Sequence, residues 1–180
     1  MSPVNRRRLV IDANVFVSAG SDPLDAPARP CRAFLDGVLG ICHRAVVTAE
    51  IIREWDDHPT KYSAWWQTQM ASQDKLVPPA EGPPATLRDQ VRRSATDDAH
   101  AEHLLKDVLL LEAAFGADMI VVSCDDEAKR RYARLAAESP HLGHLLDVAW
   151  VNTNSFDGVE EWLASGAKRS KRLTLRSLEP

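Results

Sequence analysis

Long hydrophobic runs are missing from this 180-residue sequence. No apolar stretch approaches the ~20 residues that a membrane-spanning helix needs, which excludes a helical membrane span. Cysteine is scarce. The three present, Cys31, Cys42 and Cys124, have no zinc-like spacing, and their odd number argues against a disulfide framework. An excess of positive charge is also lacking, since 22 Lys and Arg face 26 Asp and Glu for a net charge of −4. A protein that holds nucleic acid through its overall field should be basic. Any nucleic-acid function must therefore rest on local basic patches or on an acidic site loaded with metal. The opening Arg6-Arg7-Arg8 and the apolar stretch from Leu9 to Ala19 only superficially imitate a secretion signal, because Asp12 and Asn14 interrupt the apolar part. A cytoplasmic protein is expected. No internal repeat is present, and the length fits one domain with a proper core.

The chain reads as strands separated by helices. Leu9-Val10-Ile11 is a short run of β-formers with the character of a buried parallel strand. Val15 to Ala19 continues as a short helix, closed by Gly20 and a loop at Ser21-Asp22-Pro23. Pro30 suits the first turn of a helix through Leu39. Arg44 to Val47 forms a second strand, and Thr48 is a good N-cap for the helix carrying Glu50, Ile51, Ile52 and Glu54. Residues 55–95 are the least regular part, interrupted by Pro78-Pro79 and Pro83-Pro84, with a short helix at Leu87–Arg93. A helix beginning near Asp97 or Asp98 runs to Ala114 and ends at Gly116. Met119 to Val122 is the third strand, followed by a helix at Glu127–Ala137, a strand at Val148–Val151 and a helix at Val159–Leu163. This alternation predicts an α/β fold with a central, mostly parallel sheet. Residues 1–165 form the domain, and 166–180 form a basic tail expected to be flexible. That tail reads equally as a solvated end, an RNA-binding arm or a docking segment.

Ligands in open parallel sheets gather beyond the carboxyl ends of the strands. Two acids fall there, Asp12 after the first strand and Asp125 after the third. Glu54 lies about two turns into the helix entered from the second strand, with Glu50 one turn before it as a rival. Asp107 stands on the helix leading into the third strand, beside an apolar face that would turn it toward the sheet edge. Asp97-Asp98 is its rival.

Asp12-Ala13-Asn14-Val15-Phe16-Val17-Ser18-Ala19 resembles the opening motif of the PIN-domain nucleases, where a strand-end Asp precedes a short apolar helix. The segment from Asp107 through Ala113-Ala114 and Ala117-Asp118 to Ser123-Cys124-Asp125 looks like that family's second signature. Val46-Val47-Thr48 followed by Glu54 is similar to its middle motif. The resemblance covers roughly residues 8–155 and implies a three-layer α/β/α PIN-like domain. It further implies that Asp12, Glu54, Asp107 and Asp125 are the catalytic, metal-holding acids. Ser123 would orient them, Asn14 would hold the first loop, and Asp126 is a substitute or supplement for Asp125.

Several carboxylates brought together raise one another's pKa, and a divalent cation relieves the repulsion. Oxygen ligands select hard ions such as Mg²⁺ or Mn²⁺. Such ions activate water and neutralise phosphate charge, which suits phosphodiester hydrolysis. The resemblance thus implies a ribonuclease, RNA as substrate, an antitoxin or other protein partner, and a homodimer. Two alternatives stand beside it. A catalytically silent PIN-like module would bind nucleic acid or protein. A phosphotransferase would use Asp12 as nucleophile, although Asn14 occupies the place where such enzymes generally carry a second Asp.

Other residues carry two readings each. His100 and His103 are one turn apart but have no third soft ligand, so surface hydrogen bonding is expected. Trp65 and Trp66 either stack on bases or pack in the core, and burial of at least one is expected. Arg88, Arg92, Arg93, Lys106, Arg130 and Arg131 are candidates for phosphate contacts or plain solvated charges.

Overall fold

A computed structural model describes residues 6–20, 28–82, 84 and 86–178. The loop expected at Ser21-Asp22-Pro23 and the break at Pro83 lie outside these residues. Five strands form one sheet: β1 (Arg8–Ile11), β2 (Arg44–Val46), β3 (Leu76–Val77), β4 (Ile120–Val122) and β5 (Ala149–Val151). All neighbours are parallel, in the order β3-β2-β1-β4-β5. The parallel sheet expected from the alternating pattern is present, and helices on both faces give the three-layer α/β/α arrangement that the motif resemblance implied.

The sheet is short-stranded and apolar on both faces, as parallel strands covered by helices must be. Leu9, Val10, Ile11 and all three residues of β4 are fully buried. Helices α1 (Ala13–Gly20), α2 (Ala28–Gly40), α4 (Lys61–Ser72) and α8 (Val159–Ala164) pack together as one layer. Helices α5 (Leu87–Ser94), α6 (Asp98–Phe115) and α7 (Asp126–Glu138) form the other. Helix α3 (Ala49–Asp57) touches both α1 and α6.

Thr48, Asp97 and Asp125 all have extended backbones and accept a backbone N–H three residues on, the geometry of an N-cap. Capping therefore fixes the starts of α3, α6 and α7. β4 starts one residue later than the apolar run from Met119 suggests, because Met119 is left-handed with φ of 57°. β3 was hidden inside the irregular 55–95 segment. It contributes only Leu76 and Val77 at the sheet edge, too short for any alternation to register.

Of the two adjacent tryptophans, Trp66 is buried and Trp65 is 47% exposed. Trp66 forms an aromatic cluster with Phe16 and Trp55, with ring centroids 4.7 to 6.3 Å apart. Its indole donates to the Leu35 carbonyl. The Trp55 indole donates to the Ile11 carbonyl at 3.0 Å, binding α3 to the last residue of β1.

Residues 166–178 are packed rather than loose. Ala167, Leu173 and Leu175 are buried. Thr174 bridges antiparallel to Ala149 on β5, and the Leu175 N–H donates to the Val148 carbonyl. The reading of a flexible tail counted its charges and overlooked these apolar residues, which cover the β5 edge.

Trp55→Phe should cost about 2–3 kcal/mol in urea unfolding, from lost ring volume and an unmet buried carbonyl at Ile11. A loss below about 0.5 kcal/mol would show that α3 is not anchored through this bond.

Candidate active site

The strand order reverses at β1, since the chain builds β2 and β3 on one side and β4 and β5 on the other. The crevice beyond the carboxyl ends of β1 and β4 is therefore the topological switch point of the sheet. A pocket of about 530 Å³ opens there, lined by Asp12, Glu54, Asp107 and Asp125 together with Asn14 and Lys106. Four acids distant in sequence are brought to one place by β1, α3, α6 and the β4–α7 turn.

The Ser123 hydroxyl joins the strand ends. The Asn14 carbonyl Oδ1 accepts the Cys124 N–H at 3.0 Å, which leaves its Nδ2 to donate to Ser123 Oγ at 3.1 Å. The Asp125 N–H donates to the same Oγ at 3.1 Å. A hydroxyl has two acceptor sites and one proton. With both sites used, that proton goes to Asp12 Oδ2, 2.6 Å away. Asp12 Oδ1 accepts the Asn14 N–H at 3.3 Å, and the Asp12 N–H donates to the Val122 carbonyl at 2.9 Å. Asp12 is thus held at both carboxylate oxygens and through its backbone.

The other acids inherit positions from their helices. Tyr132 on α7 donates its hydroxyl to the Leu104 carbonyl, one turn before Asp107. Glu54 precedes Trp55, so the indole anchor on Ile11 also sets its place. Asp125 caps α7 through the Ala128 N–H at 2.8 Å and still lines the pocket. Capping and facing the site are compatible roles for one carboxylate. Arg131 lies 3.7 Å from Asp107 and 3.9 Å from Asp125, and donates to Glu127 at 3.0 Å.

The remaining candidates fall elsewhere. Glu50 pairs with Arg88 at 2.7 Å and faces a different depression; Arg88 also binds Glu112. Asp97 caps α6, and Asp98 begins it. Asp126 opens α7 and is not among the residues lining the pocket. Arg92 pairs with Asp89. Asp57 and His58 line the pocket without having been singled out from the sequence. Asp57 follows Glu54 by three residues, a helical spacing that would have placed the two on one face.

The electrostatics follow from burial and like charge. Burial raises the pKa of Asp12, and the nearby Asp125 raises it further, while the bonds from Ser123 and Asn14 oppose the rise. Burial, then Asp12 and Asp107, raise that of Glu54. Asp107 is pushed up to about 6, first by burial and then by Asp12 and Asp125, against the opposing pull of Arg131 and Lys106. An oxygen-only set of mutually repelling acids is chemically suited to a hard divalent cation. Among the described residues, however, no three His, Cys, Asp or Glu side chains converge closely enough to hold an ion. Arg131 brings cationic charge to Asp107 and Asp125.

No family model matches the chain, and no curated protein matches its sequence.

A carboxyl whose folded-state pKa is raised favours folding below its unfolded pKa, and that contribution is lost as pH rises through the folded value. For Asp107 the window is about pH 4 to 6. In chelator, Asp107→Asn should melt higher than the wild type at pH 7 and lose less stability between pH 4 and 7. A lower melting temperature for the variant at pH 7 would mean that the pairing with Arg131 outweighs the cost of burying the charge.

Proposed function

We propose that this chain is a Mg²⁺- or Mn²⁺-dependent endoribonuclease with a PIN-like architecture, cutting RNA phosphodiester bonds at the pocket between β1 and β4. One observation carries the reading: Asp12, Glu54, Asp107 and Asp125 come from four separate elements to line one pocket at the switch point. The raised pKa values of three of them support it, since burying acids side by side is unfavourable unless something compensates.

These four acids would hold the metal, directly or through water. A bound divalent ion would neutralise phosphate charge and make water a better nucleophile. The protein's own part is positioning. Ser123 and Asn14 fix Asp12, Trp55 sets the depth of Glu54, and Tyr132 steadies the helix that carries Asp107. Lys106, exposed at the pocket wall, supplies a cation for a non-bridging phosphate oxygen.

The same reading includes a cytoplasmic setting, a homodimer and an antitoxin or other protein partner. The cytoplasmic setting rests on the cysteine pattern and the interrupted secretion-like start, and the dimer and protein partner rest on the resemblance of the motifs alone. No helix among the described residues is long and apolar enough to cross a membrane. The 55–95 stretch is longer than a minimal toxin would need, which argues against a small stand-alone toxin. A second reading, a catalytically silent binding module, is favoured by the lack, among the described residues, of three converging ligand side chains.

Purified protein should cleave members of a panel of single-stranded and folded RNAs when Mn²⁺ is added, and Asp107→Asn should lower the rate at least about 100-fold. Equal cleavage by the variant would assign the activity to a contaminant. Metal binding without cleavage of any RNA would favour the silent module. Divalent metal should also raise the melting temperature, and Asp12→Asn should diminish that rise. An undiminished rise would put the metal elsewhere.

A further inference from the structure

Beside the carboxylate pocket runs a second depression of about 270 Å³, bounded by the end of α5, the start of α6 and one face of α7. Arg130, Arg131 and Arg134 line it along α7, and His100 lines it from α6. Arg131 belongs to both regions, since it lines the groove while its guanidinium faces Asp107 and Asp125 of the pocket. The two depressions are therefore neighbours across one side chain.

Arg131 is satisfied by its three acids. Arg130 and Arg134 are not: among the described residues neither guanidinium has an ion-pair or hydrogen-bond partner. They are four residues apart, so they stand on one face of α7 about one helical turn from each other. His100 adds a donor of fixed direction. Its Nδ1 accepts the Thr96 N–H at 3.2 Å, so the neutral ring carries its proton on Nε2. Buried Leu135 provides an apolar element of the lining. Two acids share the groove. Glu127 is committed to Arg131, which leaves Glu138 as its uncompensated acid. A chain of net charge −4 thus concentrates unpaired guanidinium groups immediately beside its carboxylate pocket.

We propose that this groove carries the backbone of single-stranded RNA away from the carboxylate pocket, with Arg130 and Arg134 as contacts to neighbouring phosphates and His100 as a further donor. The proposal rests on the nuclease reading, because a phosphodiester held at the pocket requires its flanking nucleotides to leave past Arg131 or on the opposite side. Guanidinium groups suit phosphate oxygens, to which they donate in pairs. Neither arginine touches the reacting atoms, so both are positioning residues for a long substrate.

The test uses the full chain carrying Asp107→Asn, a fluorescent 15-nucleotide single-stranded RNA and a KCl series, with and without the added pair Arg130→Ala and Arg134→Ala. Both arginines are exposed, so the pair should leave the melting curve unchanged. Affinity should fall about tenfold, and the slope of log Kd against log salt should drop by about 1.4, for two phosphates at about 0.7 each. In the otherwise wild-type chain the pair should raise KM for the 15-mer with kcat preserved and leave a trinucleotide unaffected. Unchanged affinity and slope overturn the proposal, as does failure of Asp107→Asn to bind the RNA at any salt. An acidic peptide that displaces the RNA and binds more tightly also overturns it, assigning the arginines to a protein partner. RNA binding that depends on the pair, without cleavage by any form, keeps the groove and sinks the nuclease reading. Cleavage with unaltered KM and slope keeps the nuclease and sinks the groove.

Discussion

The ends of β1 and β4 meet through one hydroxyl. Ser123 Oγ receives two N–H groups, from the Asn14 carboxamide and the Asp125 backbone, and gives its proton to Asp12. Because every donor and acceptor of that hydroxyl is used, the first loop, the turn after β4 and the Asp12 carboxylate are fixed relative to one another. The cap of α7 grows from the same turn, since Asp125 both donates its N–H to Ser123 and accepts from Ala128. Remove the hydroxyl and a half-buried carboxylate, a carboxamide and a backbone N–H all lose a partner at once.

Around this hub the molecule gathers negative charge at a place where water is partly excluded. Arg131 and Lys106 offset some of that charge, yet Asp107 remains a weaker acid than an ordinary aspartate. The rest of the fold keeps the arrangement from relaxing. Trp55 ties α3 to the residue before Asp12, Tyr132 ties α6 to α7, and the packed 166–178 segment closes the sheet beyond β5. Cost at the site and rigidity around it belong together, because a looser frame would let the acids move apart into solvent.

What the sequence shows directly is what local chemistry decides. Short apolar runs ended by an acid mark β1 and β4, and Thr48 marks the start of α3 because capping depends on a few consecutive residues. What stays hidden depends on distant partners. Glu50 and Glu54 are one turn apart on the same helix, and only Arg88, on α5, draws Glu50 away from the pocket. Arg131 is one basic residue among many until α7 packs on α6 and sets it before Asp107. β3 has two residues and no period to read. In the last segment, Leu173 and Leu175 are diluted among basic neighbours, and only their fit against β5 reveals them as core.

The central proposal is that the acids at the switch point form one cation-binding centre organised by the Ser123 hydroxyl. A crystal structure grown with Mn²⁺, with anomalous diffraction recorded at the manganese edge, tests it most directly. The account predicts an anomalous peak in the pocket with Asp12 and at least one of Glu54, Asp107 and Asp125 as its protein contacts. A peak elsewhere on the chain, or none at saturating Mn²⁺, would contradict it.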